Sequence, residues 1–369
     1  MQRTGKAWKV ATGVVLLGAL LAIPSVRSEA EAIARTARIQ WEARQDGSTR
    51  TLTSFGGVIA LALSPDGKTL ISGFECSDRS CPGYTHNNGY TGIEVWNLQA
   101  GKRVGVPLPF SLKSYSIAIT SAGQIVDSGG AYAGLVEIWN LDTRQLIRQV
   151  SAYPSNNRNF SSLSSLEVAV TPDEKTLITG SPDGVIKLWD LRTGSLIRIL
   201  ERSRPVVARG YDAVLSHQIA ISPDSRIIAS TVFNSTDSSS VSLWDLRSGE
   251  LLRTLQGRAE SGYLSVALSN DRLVAGSYHG AIDVWRTDTG EQVHALTTSN
   301  MELGLAVSPN GRRFASSNFR GITLRDLNSG QIVRTFEPRS SALRLVFHPD
   351  GKTLVSAQED GAIKFWSLP

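Results

Sequence analysis

Leu166-Glu167-Val168-Ala169-Val170 runs into Thr171-Pro172-Asp173-Glu174-Lys175, and Thr176-Leu177-Ile178-Thr179-Gly180 follows. After a short gap come Val185-Ile186-Lys187-Leu188-Trp189-Asp190-Leu191, the turn Arg192-Thr193-Gly194, and Leu196-Ile197-Arg198-Ile199-Leu200. The alternation has period two, which is strand geometry. Asp and Gly at the breaks supply the backbone conformations that tight connections need. The stretch predicts a meander of four short strands.

The same phrase recurs along the chain. Its Trp position holds Trp96, Trp139, Trp189, Trp244 and Trp285, then Arg325 as a substitute, then Trp366, at spacings of 43, 50, 55, 41, 40 and 41 residues. The first turns of the units are Ser64-Pro65-Asp66-Gly67, Ser121-Ala122-Gly123, Thr171-Pro172-Asp173, Ser222-Pro223-Asp224, Ser269-Asn270-Asp271, Ser308-Pro309-Asn310-Gly311 and His348-Pro349-Asp350-Gly351. Seven units of about 40–50 residues predict a radial repeat, an all-β ring. Composition agrees. At 369 residues the chain is too long for one ordinary core. Apolar residues make up 41% and charged residues 19%, which excludes a disordered chain, while 33 Gly and 14 Pro favour many turns. Two Cys exclude a disulfide-dense miniprotein and a four-Cys zinc module. A net charge of +5 over this length does not argue for nucleic acid.

From about residue 50 to the C-terminus the chain resembles the WD40 repeat family, best at Trp189-Asp190 and Trp244-Asp245. The resemblance implies a seven-bladed β-propeller of four-stranded blades, no cofactor, and a protein or peptide partner. Asp183 and Asp360 stand six residues before Trp189 and Trp366, where the family places a buried Asp in a hydrogen-bonded tetrad with His, Ser/Thr and Trp. The other five units hold Tyr90, Ala133, Ser238, His279 and Phe319 there, and no unit has the family's Gly-His dipeptide. Packing is therefore expected to carry more of the adhesion between blades, with Trp96, Trp139, Trp189, Trp244, Trp285 and Trp366 as core.

The seventh unit begins at Ala342 and reaches only its third strand before Pro369. Arg50-Thr51-Leu52-Thr53-Ser54-Phe55 resembles the fourth strands Leu251-Leu252-Arg253-Thr254-Leu255 and Ile332-Val333-Arg334-Thr335-Phe336. It is expected to complete the last blade, because an unpaired strand edge invites aggregation. Ile39-Gln40-Trp41 reads as an extra strand along the outside or the remnant of an eighth unit. Further upstream, Arg3, Lys6 and Lys9 precede the apolar run Val10 to Ile23, then Pro24 and the small residues of Ala30-Glu31-Ala32. This is the layout of a secretory signal over 1–32, followed by an extension over 33–49 and the propeller over 50–369. An uncleaved signal anchor is the alternative, since the run is shorter than a bilayer span. Removing residues 1–32 takes away four basic and two acidic residues and lowers the net charge from +5 to +3. The expected location is outside the cytoplasm: periplasm, lumen or extracellular space. No membrane contact beyond the export signal is expected, and the chain is expected to be monomeric on its own.

In a meander, the first-to-second and third-to-fourth turns share one face. The second-to-third loops and the links between units share the other. Every sizeable insertion belongs to the second set: Glu75 to Thr91, Tyr153 to Ser165, Glu201 to Ser216 and Asn234 to Ser240. Binding loops vary on a fixed scaffold, so this link face is the expected working face. Arg and Tyr are favoured interface anchors, and the candidates are Arg79, Tyr84, Tyr90, Arg158, Phe160, Arg209, Tyr211 and Arg320. The first insertion also carries Cys76 and Cys81. A disulfide is the simplest reading in an oxidising compartment; a metal site with His86 and Asp78, or free thiols, are the others.

None of the five His residues sits in a recognisable catalytic motif. The sequence therefore points to a non-enzymatic protein-interaction scaffold. The rivals are an extracytoplasmic hydrolase or lyase, which would need groups such as Asp183, His279 and Asp360 at the channel mouth, and a carbohydrate binder.

Overall fold

The computed structural model describes residues 47–76, 90–105, 108–110, 116–128, 134–153, 166–181, 184–200, 216–233, 240–258, 262–298, 300–338 and 340–369. All regular structure among them is strand. The strands form seven antiparallel sheets. Blade 1 comprises Gly57–Leu63, Thr69–Cys76, Tyr90–Asn97 and an outer strand in two pieces, Lys102–Arg103 and Leu108–Phe110, both paired with the third strand. Blade 2 comprises Ile117–Ile119, Gln124–Ser128, Leu135–Asn140 and Leu146–Ser151. Blade 3 is Glu167–Val170, Thr176–Gly180, Ile186–Asp190 and Leu196–Leu200, and blade 4 is Ser216–Ile221, Ile227–Phe233, Ser240–Asp245 and Leu251–Gln256. Blade 5 is Tyr263–Leu268, Arg272–Ser277, Ala281–Arg286 and Gln292–Thr297, and blade 6 is Gly304–Val307, Arg313–Asn318, Gly321–Asp326 and Ile332–Phe336. Blade 7 is Ala342–Phe347, Thr353–Gln358 and Ala362–Ser367, with Arg50–Thr53 as its outer strand; Arg50 lies opposite Phe365 and Thr53 opposite Ala362. Each first strand touches the first strands of the blades on both sides, and blade 7 touches blade 1, so the ring is closed around a central channel.

The turns explain why these segments pair. In blades 1, 3 and 4 the Ser or Thr that opens the first turn donates to the Asp two residues on, and its oxygen accepts the amide that starts the second strand. The turn thus satisfies its own backbone before the strands meet. The core is divided by junction. One apolar cluster fills each of the seven boundaries; between blades 2 and 3, for example, Val126, Val136 and Ile138 meet Leu166, Val168, Leu177 and Trp189. Trp96, Trp189, Trp244, Trp285 and Trp366 are buried in these clusters, and Trp139 is half-buried in its own. The indole Nε1 of Trp96, Trp189, Trp244 and Trp366 donates to Ser72, Thr179, Ser230 and Ser356 on the second strand of the same blade at 2.8–3.2 Å. In blade 6, Arg325 stands in the Trp position beside the buried Glu302, whose charge acts on it. Asp360 is half-buried and caps its turn, accepting from Ala362 N at 3.0 Å; Asp183 lies outside the described residues.

Hydrogen bonds join packing between the blades, although the family motif is missing. One residue of the outer strand, the third in blades 2 to 6 and the first in blade 7, reaches over the end of the next blade's third strand. Arg50 donates to Leu98 O at 2.6 Å, Arg148 to Leu191 O and Arg192 O, Arg253 to Asp288 O at 2.7 Å and Arg334 to Ser367 O at 3.2 Å. His294 takes the same place at Asn328 O, 2.7 Å away. The stem of Arg198 packs over Gly249, and Arg144 closes the boundary of blades 1 and 2 in the reverse direction through Val104 O. This girdle touches all seven boundaries. It also explains Gly249: its φ is +76°, and a Cβ would strike Arg198.

The seam between blades 7 and 1 has further ties. His348 Nε2 bonds Gly67 O at 3.0 Å. Glu94, fully buried, pairs with Arg103 at 2.8 Å and accepts from Phe55 N, while Arg103 donates to Thr53 O and lies 3.8 Å from the Phe55 ring centroid. Blade 1 therefore grips the chain as it leaves the closing strand. Burial pushes the Glu94 carboxyl above its ordinary range, with Arg103 pulling against it.

Candidate functional site

The two ends of the channel differ in chemistry. On the turn side, a cleft of about 400 Å³ at the seam is lined by Arg50, Asp66, Lys68, His348, Asp350 and Phe365, among others. Its charges are already engaged. Lys68 pairs with Asp66 at 3.6 Å, His348 with Asp350 at 3.1 Å, and Arg50 with Leu98 O. The cleft belongs to ring closure.

The link side is less uniform. Of the sequence candidates, Arg79, Tyr84, Arg158, Phe160, Arg209 and Tyr211 lie outside the described residues. Tyr90 opens the third strand of blade 1 opposite Cys76. Cys76 is disulfide-bonded and buried against Phe74 and Phe55 at the base of the first insertion; Cys81, the only other cysteine of the sequence, lies outside the described residues. Arg320 is exposed in the two-residue turn Phe319-Arg320 of blade 6, its amide donating to Asn318 Oδ1 at 2.9 Å. Two neighbours were not among the sequence candidates for binding. Phe319 is 55% exposed, and Tyr278, in the corresponding turn of blade 5, is 45% exposed, edge-on to the exposed His279 ring at 5.2 Å. Adjacent blades thus present two aromatic tips and a guanidinium on one face. Of the rival enzyme's groups, His279 and Asp360 sit on different blades, and among the described residues no group of three or more His, Cys, Asp or Glu could hold a metal.

Inside the ring, the seven first strands share a register level on their link-side half. Counting four residues back from Ser64, Thr120, Thr171, Ser222, Ser269, Ser308 and His348, whose amides each bond across the first turn, gives Ala60, Ser116, Glu167, Gln218, Ser265, Gly304 and Arg344. They face Gly73, Ser128, Gly180, Thr231, Gly276, Ser317 and Ala357 across their blades, so they form one level of the first strands. Two of the seven are charged, and they come from blades three places apart around the ring. Burial pushes the Glu167 carboxyl up to about 7, against the pull of the Arg344 guanidinium and a hydrogen bond with Ser116. The Arg344 guanidinium is lowered by burial and raised again by Glu167. Ser116 fixes the local backbone, donating to Val168 O and accepting from Val168 N, both at 3.1 Å. The sequence signal was available: each charge interrupts an apolar strand at a constant distance from its turn.

A closed ring of seven four-stranded antiparallel sheets is a β-propeller, and this one has a regular turn side and a divergent link side. The family model of the WD domain, G-beta repeat, matches residues 47–81, 154–190 and 330–367, which lie in blades 7 and 1, blade 3, and blades 6 and 7. The chain is 22% identical over 308 residues to Protein groucho of Drosophila melanogaster, covering 78% of this chain and 39% of that protein. It is 28% identical over 206 residues to Periodic tryptophan protein 2 of Arabidopsis thaliana, covering 54% of this chain and 21% of that protein. The chain thus spans well under half the length of either relative.

Proposed function

We propose that this propeller is a non-enzymatic scaffold that works outside the cytoplasm and holds a protein or peptide partner on its link face. One observation carries the reading: exposed Tyr278, Phe319 and Arg320 stand on the link side of two adjacent blades, whereas the turn side consists of short turns tied to one another. Aromatic rings and Arg are the residue types that anchor protein interfaces. The WD40 repeats favour a binding role, as fold-level analogy. Export rests on the basic and apolar N-terminal segment, and the disulfide at Cys76 suits an oxidising compartment.

The test is cross-linked co-purification of the full chain from its own cell envelope, read by mass spectrometry. Two variants run beside it: Tyr278→Ala with Phe319→Ala, and one with the segment 76–90 replaced by a short Gly-Ser turn. The expected result is a partner recovered with the native chain and lost with at least one variant. A partner retained by both variants, or recovery only from the cytoplasm, would overturn the reading.

A further inference from the structure

The seven-residue level inside the channel holds one carboxyl and one guanidinium on blades that do not touch each other. Neither belongs to the girdle or to the seam. Each interrupts a strand that is otherwise apolar, Glu-Val-Ala-Val over 167–170 and Ala-Leu-Arg-Leu-Val-Phe over 342–347. Both side chains are half-buried rather than sealed, so the channel still reaches them. A guanidinium in such a place is a planar, always charged donor suited to a carboxylate.

We propose that the link-side end of the channel is a carboxylate-binding site in which Arg344 receives an acidic group of the partner peptide and Glu167 competes for the same guanidinium. The proposal deepens the scaffold reading and rests on it. Glu167 is the internal competitor: as a carboxylate it compensates Arg344, and once protonated it releases it. Its carboxyl stands near 7 because of burial. The site therefore opens to an acidic ligand in mild acid and closes as pH rises through neutrality. The ligand's own carboxylate, with an ordinary value near 4, stays ionised across that window.

Other titratable groups stand around the pair, and burial raises the Glu302 carboxyl as well. Glu167 packs between first strands that bring Ser116 and Gln218 to its level; His217 stands beside Gln218 on blade 4, and Asp127 is buried on the second strand of blade 2. Around Arg344, the first strand of blade 1 carries no charge. On the blade 6 side, Glu302 is held by Thr298 at 2.6 Å and Asn318 at 3.3 Å, and its charge acts on Arg325. Arg313 reaches the other end of the ring, at Pro369 O.

The experiment follows the Arg344 Nε–Hε resonance of the ¹⁵N-labelled full chain during titration with two synthetic probes. One is acetyl-Gly-Gly-Glu-Gly-Gly-amide, which offers a side-chain carboxylate. The other is acetyl-Gly-Gly-Gly-Gly with a free C-terminus. Whichever shifts the resonance names the source, and the Gln counterpart of the first is the blank. If Glu167 is half-protonated near pH 7, the competent fraction falls about tenfold between pH 6 and pH 8, and Kd rises by the same factor. Glu167→Gln should bind at both pH values with the native pH 6 affinity, and Arg344→Gln should not bind. An equal native Kd at pH 6 and 8, a Glu167→Gln variant that keeps the tenfold change, or no shift with either probe would overturn the proposal. The native titration decides even if a variant fails to fold. A flat titration leaves a co-purified partner in place, and loss of that partner leaves the titration unchanged, so the two readings fail separately.

Discussion

The outer edge of the turn side and the channel level on the link side are both positions repeated around one ring, yet the chain treats them in opposite ways. At the edge the same answer recurs. Arg50, Arg148, Arg198, Arg253 and Arg334 all lean on the next blade, His294 does so from blade 5, and blade 1 alone is tied in reverse, through Arg144 of blade 2. At the channel level the seven answers are Ala, Ser, Glu, Gln, Ser, Gly and Arg. A position that repeats its residue is solving the problem every blade shares, adhesion to its neighbour. A position that gives six different residue types is free of that problem, and its chemistry belongs to this molecule in particular. The comparison breaks if the edge proves energetically idle or if the channel charges prove to be structural glue.

The largest expected effect tests where adhesion becomes indispensable. Arg103→Ala leaves Glu94 buried without its cation. Breaking a buried pair from one side costs about 3–5 kcal/mol, so urea unfolding should show a loss of that order. The sign with pH follows from the raised Glu94 carboxyl. A group that holds its proton more tightly when folded loses stability as pH rises, and without Arg103 that loss deepens. The deficit of Arg103→Ala should therefore be larger at pH 8 than at pH 5. A loss below about 1 kcal/mol at both values would show that the seam is held by the paired strands alone.

The next effect has the opposite sign and bears on the channel. Glu167 moves from an ordinary carboxylate value in the unfolded chain to about 7 in the folded one. Its folded-state proton is favourable below the unfolded value, and that contribution disappears as pH climbs through 7. With discount for its partial exposure, about 1–3 kcal/mol is at stake. Glu167→Gln should be more stable than the native chain at pH 8 and equal to it at pH 4.5, by urea midpoints at the two values. If the variant is instead less stable at pH 8, the Glu167–Arg344 pair is glue, and the contrast with the edge collapses.

These two cases also show what the sequence made legible. The blades, their number and the closing strand could be read because period two, the Ser-x-Asp turns and the Trp positions are local and repeat seven times. The Arg of the outer strand repeats just as regularly, at Leu-Ile-Arg, Leu-Leu-Arg and Ile-Val-Arg, but its partner is a carbonyl on the next blade. Strand periodicity says only that the residue points away from one face. The candidate site was legible in part. Arg320 and the link face follow from where insertions fall, but Phe319 looked like a degenerate tetrad position because the family pattern assigned that place to a buried Asp, and Tyr278 stands just before another such position, His279. Glu167 and Arg344 are 177 residues apart, and only closing the ring brings their charges within reach of each other. The remaining candidates stand in insertions without period or repeat, where no local rule fixes a side chain's surroundings.

The smallest effect isolates the edge contact from backbone strain. Gly249 and Gly351 both adopt positive φ, +76° and +66°, so Ala at either costs about 1–2 kcal/mol in strain alone. They differ in surroundings. A Cβ at Gly351 meets nothing within 4 Å, whereas one at Gly249 strikes the Arg198 stem from the preceding blade. Gly249→Ala should therefore cost more than Gly351→Ala, by about 1 kcal/mol for displaced packing. In an Arg198→Ala background most of the excess should vanish, because only Leu200 Cδ2, 3.0 Å from the added Cβ, is left in the way. Equal costs in the native background would mean that Arg198 swings aside freely, and the boundary between blades 3 and 4 would then rest on its apolar cluster alone. An excess that appears with Arg198 and mostly disappears without it would assign to a single edge contact a measurable share of what keeps one blade on the next.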